Sequence, residues 1–403
     1  MRKYSLLFTL LLLAMSGSAQ VKGFSYKFYG QVRTDLYYNS RANEETVDGL
    51  FYMYPKDKVY DADGKDLNAT ANGSFYTLYT RLGVDVQGPE FVGAKTSAKV
   101  EVDFRGSGTT YSTVRLRHAY LNLDWGKSEL LLGQNWHPLY GDVAPQILNL
   151  NMGGPYQPFS RAPQIRYRYQ AGDFMLTGVA LWQSQYLSQG PAGKTQDYIK
   201  FGCLPEFYAG VDYKSNAWLV GAGVELISLK PRKEVITDGK TYKVDERVTS
   251  LSYEAHMRYT SDNWMVAAKS VLGSNLTQVS MLGGFGVKSV DPRTGEQEYS
   301  PNRNSSSWLN IVYGKIWKPA LFFGYMKNLG TSDDVTKMYG TGTDVDQLVN
   351  ATGELTYNVP HWKVGVEYSY SAAWYGKMKA NGTVTDTHSV SNNRIVATAM
   401  FMF

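Results

Sequence analysis

The chain has 403 residues, of which 43% are hydrophobic, 14% aromatic and 19% charged, with a net charge of +5. Aromatic content this high excludes a disordered chain, because apolar surface is available to offset the entropy lost on ordering. A mean hydropathy of −0.33, with the only long apolar run at the extreme N-terminus, speaks against helical membrane spans of about 20 residues each.

The first segment reads as an export signal. Arg2 and Lys3 form a basic start, Leu6 to Met15 an apolar run, and Gly17-Ser18-Ala19 a small-residue cleavage site, so residues 1–19 are expected to be removed. The alternative is a retained anchor, for which the run is short. The remaining 20–403 would form one β-barrel domain. The processed chain loses two positive charges and no acid, so its balance is no nucleic-acid footprint. Cys203, the single cysteine, excludes an internal disulfide framework.

The next element alternates. Phe24, Tyr26, Phe28, Gly30, Val32, Leu36 and Tyr38 share one face, while Lys27, Gln31, Arg33 and Asp35 share the other. Period-two alternation gives a strand one apolar and one polar wall. After the polar connection Asn39 to Ser74, the pattern returns at Tyr76 to Val86, where Arg81 and Asp85 are on the polar side, and at Ala94 to Arg105. In that connection Asp61, Asp63 and Asp66 have acidic spacing, but they lack the distal glutamate of a calcium loop, and Asp63-Gly64 is a common turn. From Val114 to Trp125 the pattern breaks: Val114 and Leu116 hold one parity and Ala119, Leu121 and Leu123 the other, as a bulge near His118 would cause. A face buried against another subunit would blur the pattern too.

The connection His137 to Pro163 is long, with Asp142 and Arg161 as its only formal charges, and it carries Pro138, Pro145, Pro155, Pro158, Ile147, Leu148 and Leu150. A loop standing in water would be more polar, whereas one folded into a barrel and packed on its wall has this composition. The alternative is an outer loop in a subunit contact. Arg166 and Arg168 then alternate with Ile165, Tyr167 and Tyr169, and Arg115 and Arg117 oppose Val114 and Leu116. If the apolar residues meet lipid, these arginines point into the lumen.

Short turns are expected at Gly88 to Gly93, Asp124 to Lys127, Ala171 to Asp173, Lys214 to Asn216, Ser261 to Asn263, Trp317 to Pro319 and Asn358 to His361. Longer connections lie between them, a brief one at Gly106 to Tyr111 and others at Gln183 to Leu204, Lys230 to Glu246, Gly273 to Ser306, Gly330 to Asp344 and Gly376 to Val390. The count implies about 16 strands in an all-β transmembrane antiparallel barrel, with turns at one end, loops at the other and an inward-folded third loop. Sixteen strands enclose too wide a space for the side chains of a soluble barrel to fill. Trp264 and Trp362 start strands beside short turns, where interfacial girdles place aromatic rings. The last strand alternates Ile395, Ala397, Ala399, Phe401 and Phe403 against Arg394 to Met402, and stops on phenylalanine. Phe401 and Phe403 look like the sorting signal that the barrel-assembly machinery reads in bacterial outer-membrane proteins.

VRLRHAYLNL (Val114 to Leu123), LLGQNWHPL (Leu131 to Leu139) and RAPQIRYRY (Arg161 to Tyr169) together resemble the DcaP-like porins of Gram-negative outer membranes. The resemblance implies a trimeric diffusion porin in outer-membrane lipid, with a mild preference for small anionic solutes such as dicarboxylates. No heptad segment separates the export signal from the first strand, so a coiled-coil stalk is not expected, and a trimer would rest on the barrel walls. The candidate constriction is Arg33, Arg81, Arg115, Arg117, Asp142, Arg161, Arg166 and Arg168. Arginine presents a fixed fork of donors to a carboxylate and keeps its charge. The structural alternative is that these arginines pair with lumen acids such as Asp35, Asp85 and Glu101.

Other chemistry finds no support in the sequence. Gly193-Lys194-Thr195 and Gly239-Lys240-Thr241 lack the upstream glycine of a phosphate loop. His118, His137, His256, His361 and His388 show no metal-ligand spacing, so neither metal nor cofactor is expected. Two rival functions remain: a plugged structural or surface-binding barrel, which shares every barrel signal, and an outer-membrane enzyme, for which no nucleophile beside a histidine stands out.

Overall fold

The computed structural model describes residues 23–46, 49–105 and 113–403. The export signal and the Gly106 to Tyr111 connection lie outside the described residues. Sixteen antiparallel strands close into a barrel: β1 Ser25–Asn39, β2 Arg81–Phe91, β3 Ala94–Arg105, β4 Thr113–Asp124, β5 Ser128–Trp136, β6 Arg161–Ala171, β7 Phe174–Leu181, β8 Glu206–Lys214, β9 Trp218–Leu229, β10 Val248–Thr260, β11 Trp264–Ser274, β12 Gln297–Tyr313, β13 Trp317–Gly330, β14 Val345–Val359, β15 Trp362–Met378 and β16 Val384–Met402. Closure comes from β1, which pairs with β2 on one side and with β16 on the other. Asn72–Tyr76 extends the second strand along the far half of β1. In the longer connections, Gly283–Val290 pairs with both β12 and Lys337–Thr341, and one short helix, α1, spans Asp197–Gly202.

Alternation decides which side chains face out. On β1, Tyr26, Phe28, Val32, Leu36 and Tyr38 are exposed, while Arg33, Asp35 and Asn39 are buried. β13 keeps the outer face, with Leu321, Phe323 and Tyr325 exposed, but its buried Ala320, Phe322 and Met326 are apolar too and pack in the largest apolar cluster. An apolar outer band over a polar inner wall is the arrangement that lipid demands of a barrel. Along the short-turn rim, aromatic pairs meet across strands at a tilt of about 50°: Trp218 with Tyr259 at 4.8 Å, Trp264 with Tyr313 at 4.7 Å, Trp317 with Tyr357 at 4.9 Å and Trp362 with Phe401 at 5.0 Å.

Three boundaries differ from the sequence reading. The turn expected at Trp317 to Pro319 falls just before Trp317, because Gly314 takes a positive φ of 90° that a bulkier residue resists. The long connection expected at Gly376 to Val390 shrinks to residues 379–383, because β15 and β16 continue their ladder through a register shift between Tyr375 and Lys377. Ladder pairing there satisfies backbone groups although most of the side chains are polar. β12 likewise starts at Gln297, inside the expected Gly273 to Ser306 connection.

Residues 137–160 reach inward-facing side chains on strands remote from their own β5 and β6. Lys269 Nζ on β11 donates to the carbonyls of Leu139 and Tyr140 at 2.7 and 2.8 Å. Asn310 Oδ1 on β12 accepts from the Gln146 N–H at 2.8 Å. Glu354 on β14 and Glu367 on β15 accept from the Leu148 and Asn149 N–H groups at 2.6 and 2.9 Å. Leu139, Val143 and Tyr156 join Trp308, Val312, Phe322 and Met326 in the largest apolar cluster. Gly324 makes one of these contacts possible, since a Cβ there would stand 2.5 Å from the Tyr156 ring.

Candidate functional site

The structure splits the eight expected site residues into three groups. The first forms around the break in β4. Glu101 pairs with His118 but Val102 pairs with Leu116, so Arg117 is the extra residue of a bulge. The bulge turns both Arg117 and His118 inward, where they are 2% and 7% exposed. Arg117 donates to Glu101 Oε1 at 2.6 Å and to Asp103 Oδ2 at 2.9 Å. Arg115 grips Asp103 with two bonds of 2.7 and 2.6 Å, and Arg81 lies 3.5 Å from Glu101. Arg161 opens β6 fully buried, with its guanidinium 4.7 Å from the Trp136 ring and its Nη2 donating to the Tyr186 hydroxyl at 3.2 Å. Its Nε and Nη1 find no hydrogen-bond partner among the described residues. Four guanidinium groups thus meet two carboxylates, and the group carries positive charge in excess.

Two cavities flank this group. Arg33, Arg81, Lys99 and Arg117 line one of about 490 Å³, and Arg115 lines another of about 220 Å³ beside Tyr186, Phe51 and Met53. Trp136 and Tyr140, stacked at 4.0 Å, pack with Phe159 and Tyr186 where the two cavities approach each other.

Arg166, Arg168 and Asp142 make the second group. They line a cavity of about 280 Å³ that shares Tyr120, Asn135 and Trp136 with the 490 Å³ one. Arg168 lies 3.2 Å and Lys214 3.8 Å from the Asp142 carboxylate, and Arg258 donates to the Asp142 carbonyl at 2.9 Å. Burial would raise the Asp142 carboxyl, but Arg168 and then Lys214 outweigh it and hold it below the ordinary aspartate value. Arg166 is taken up by Gln164 at 2.9 Å and the Trp136 carbonyl at 2.6 Å. Arg33 has its own ion pair, with Asp35 at 2.7 Å, and donates to the Leu148 carbonyl at 2.6 Å, but it shares the Tyr79 ring with Arg81 and Arg117 at 5.6–5.7 Å.

Of the acids named as alternative partners, Asp35 pairs with Arg33, and Glu101 with Arg81 and Arg117, while Asp85 pairs with Lys99 at 2.9 Å rather than with an arginine. Asp103, the hub of the first group, was not singled out. Its signal was available, since it shares parity with Glu101 and lies directly across from Arg115 in the register. Glu354, Glu367 and Lys269 were missed because their role depends on a loop remote in sequence.

At the C-terminus, Phe403 exchanges backbone hydrogen bonds with Gly30, at 2.9 and 3.1 Å. Phe401 packs on Trp362. Asp61 accepts from the N–H groups of Asp63 and Lys65, which is turn chemistry.

Residues 17–181 match the family of DcaP outer membrane proteins, a span that encloses the three motifs of the resemblance. Among solved structures, the fold is similar to the outer membrane channel DcaP of Acinetobacter baumannii, with TM-score 0.69 and 22% identity over 94% of this chain and 98% of that one. It is also similar to the trimer form of OmpT, an outer membrane protein of Vibrio cholerae, with TM-score 0.56 and 14% identity over 95% and 100% of the two chains. An anion-selective porin from Comamonas acidovorans gives TM-score 0.56 and 11% identity over 94% and 100%. No curated protein matches the chain in sequence. The chain folds as a β-barrel like those of these outer-membrane channels and porins.

Proposed function

We propose that this barrel is a diffusion porin, assembled as a homotrimer, that passes small hydrophilic solutes with a mild preference for anions such as dicarboxylates. The observation that carries the reading is the first group: Arg81, Arg115, Arg117 and Arg161 against Glu101 and Asp103, set between two cavities. Excess positive charge in a narrow passage raises the local anion concentration and selects by charge. Residues 137–160 serve as the inward third loop and form the opposite side of the passage. The Arg166–Arg168–Asp142 group lies further along the same cavity system and acts as a second, weaker station. The trimer reading draws on the OmpT trimer form and on the exposed Leu121 beside the bulge.

The plugged-barrel reading has one observation in its favour: the loop packs Tyr156 and Leu139 against Trp308 and Phe322, which fills part of the lumen. Planar-bilayer recording separates the two. A porin gives steady open channels and a reversal potential in a salt gradient that reports anion preference. A plugged barrel gives no steady conductance, and a cation-selective reversal potential would remove the role assigned to the arginines.

A further inference from the structure

Where the loop leaves β5, three groups converge that the function above does not use. His137 is the first residue after β5, Glu206 the first of β8, and Glu225 lies within β9. Their side chains are 1%, 0% and 0% exposed. His137 Nε2 lies 3.2 Å from Glu206 Oε2 and 3.4 Å from Glu225 Oε1, and one donor atom from each residue falls within 4.8 Å of the others. Glu206 is held in place by Gln183 Nε2 at 2.7 Å. Glu225 is different: it is fully buried, and among the described residues its oxygens meet only the His137 ring at 3.4 Å and the Glu206 carboxyl, with no neutral donor to hold them.

Charge makes this arrangement costly as it stands. Among the described residues, the only cationic group within 4 Å of either carboxylate is the His137 ring. With both carboxylates ionised, even a protonated ring leaves one buried negative charge in excess, and such a charge persists only when it is paired, neutralised by a proton or bound to metal. A divalent ion bound to a neutral imidazole and two carboxylates leaves no excess. The two distances from His137, 3.2 and 3.4 Å, fit as well, because ligand atoms about 2.0–2.2 Å from a tetrahedral zinc lie roughly 3.4 Å from one another.

We propose that His137, Glu206 and Glu225 form a binding site for a divalent first-row transition ion. One imidazole nitrogen with carboxylate oxygens suits zinc or manganese, whereas calcium and magnesium take oxygen alone. Gln278, 3.4 Å from Glu206 with its Oε1 unpartnered, stands ready as a fourth donor after rotation of its amide. His137 Nδ1 now accepts from the Leu139 N–H at 3.3 Å, which places the ring proton on Nε2. Metal binding moves the proton to Nδ1 and gives up that long contact. The bound ion ties the root of the 137–160 segment to β8 and β9.

The test uses the folded barrel in detergent, stripped with a chelator and then dialysed against micromolar zinc. The site predicts one zinc per chain by mass spectrometry and a higher temperature of heat modification than the stripped protein. Glu225→Gln keeps the shape and should lose both. A wild-type barrel that retains no zinc overturns the proposal, and so does a Glu225→Gln barrel that retains as much zinc as wild type. Should the variant not fold, diffraction from wild-type crystals at the zinc absorption edge decides. An anomalous peak among the three side chains upholds the site, and a peak elsewhere or none overturns it.

Discussion

Asp142 limits how strongly the second arginine group acts on a passing anion. Its carboxylate faces Arg168 and Lys214, and these cations hold its pKa below the ordinary 3.8. It therefore stays ionised from pH 7 down to pH 5, and no change in selectivity over that range should originate from it. Replacing it by asparagine removes a negative charge and leaves the cations in place. Asp142→Asn should move the reversal potential toward stronger anion preference, with a larger shift at low salt than at high salt. An unchanged reversal potential would mean that permeating ions do not sense this group. Parity alone identified which arginines turn inward, as Arg33, Arg117 and Arg166 demonstrate by their burial. It did not sort them, because grouping follows from the hydrogen-bond register. Arg115 meets Asp103 directly across the ladder, whereas Arg117 reaches both Glu101 and Asp103 only because the bulge adds a residue. Nor was the His137–Glu206–Glu225 cluster legible, since its members lie on three elements that only barrel closure brings together.

One element, the segment 137–160, depends on a few polar anchors. Glu354 and Glu367 face each other across β14 and β15, and their carboxylates accept from adjacent backbone N–H groups at Leu148 and Asn149. Such hydrogen bonds contribute about 0.5–1.5 kcal/mol each. Replacing both acids by alanine leaves two amides without acceptors and should free the segment's tip from the wall. Single-channel conductance of the double variant should rise, with more frequent current fluctuations, while a conductance trace identical to wild type would show that the tip does not border the ion path. The composition of this segment was readable, because proline, leucine and isoleucine with Asp142 as the single formal charge fit contact with a wall better than contact with water. Its anchors were not readable, since Lys269, Asn310, Glu354 and Glu367 look like any other polar-face residue until the loop arrives. The last hairpin failed for a different reason. Beyond Gly376 most side chains are polar, and Val384 and Val390 are too far apart to mark a face, so period two vanishes while the backbone ladder continues.

At the scale of the whole molecule, the barrel exists only when its first and last strands meet. The seam runs from Gln31 opposite Met402 to Asn39 opposite Arg394, and Phe403 adds two backbone hydrogen bonds to Gly30. Gly30 is required there for space: a Cβ on it would come within 2.7 Å of the Phe403 ring. The terminal aromatic thus has a structural contact at the seam besides the sorting role proposed from its position, and the two roles separate by experiment. Deleting Phe403 removes two hydrogen bonds of roughly 0.5–1.5 kcal/mol each, a modest loss for a seam with many others. Refolding of purified chain into detergent should therefore proceed with only a small drop in melting temperature. In cells, where assembly machinery must first bind the end of the chain, the yield of folded, heat-modifiable barrel in the outer membrane should fall severalfold. Equal losses in both settings would assign Phe403 to the seam alone, and normal yield in cells would end the sorting proposal.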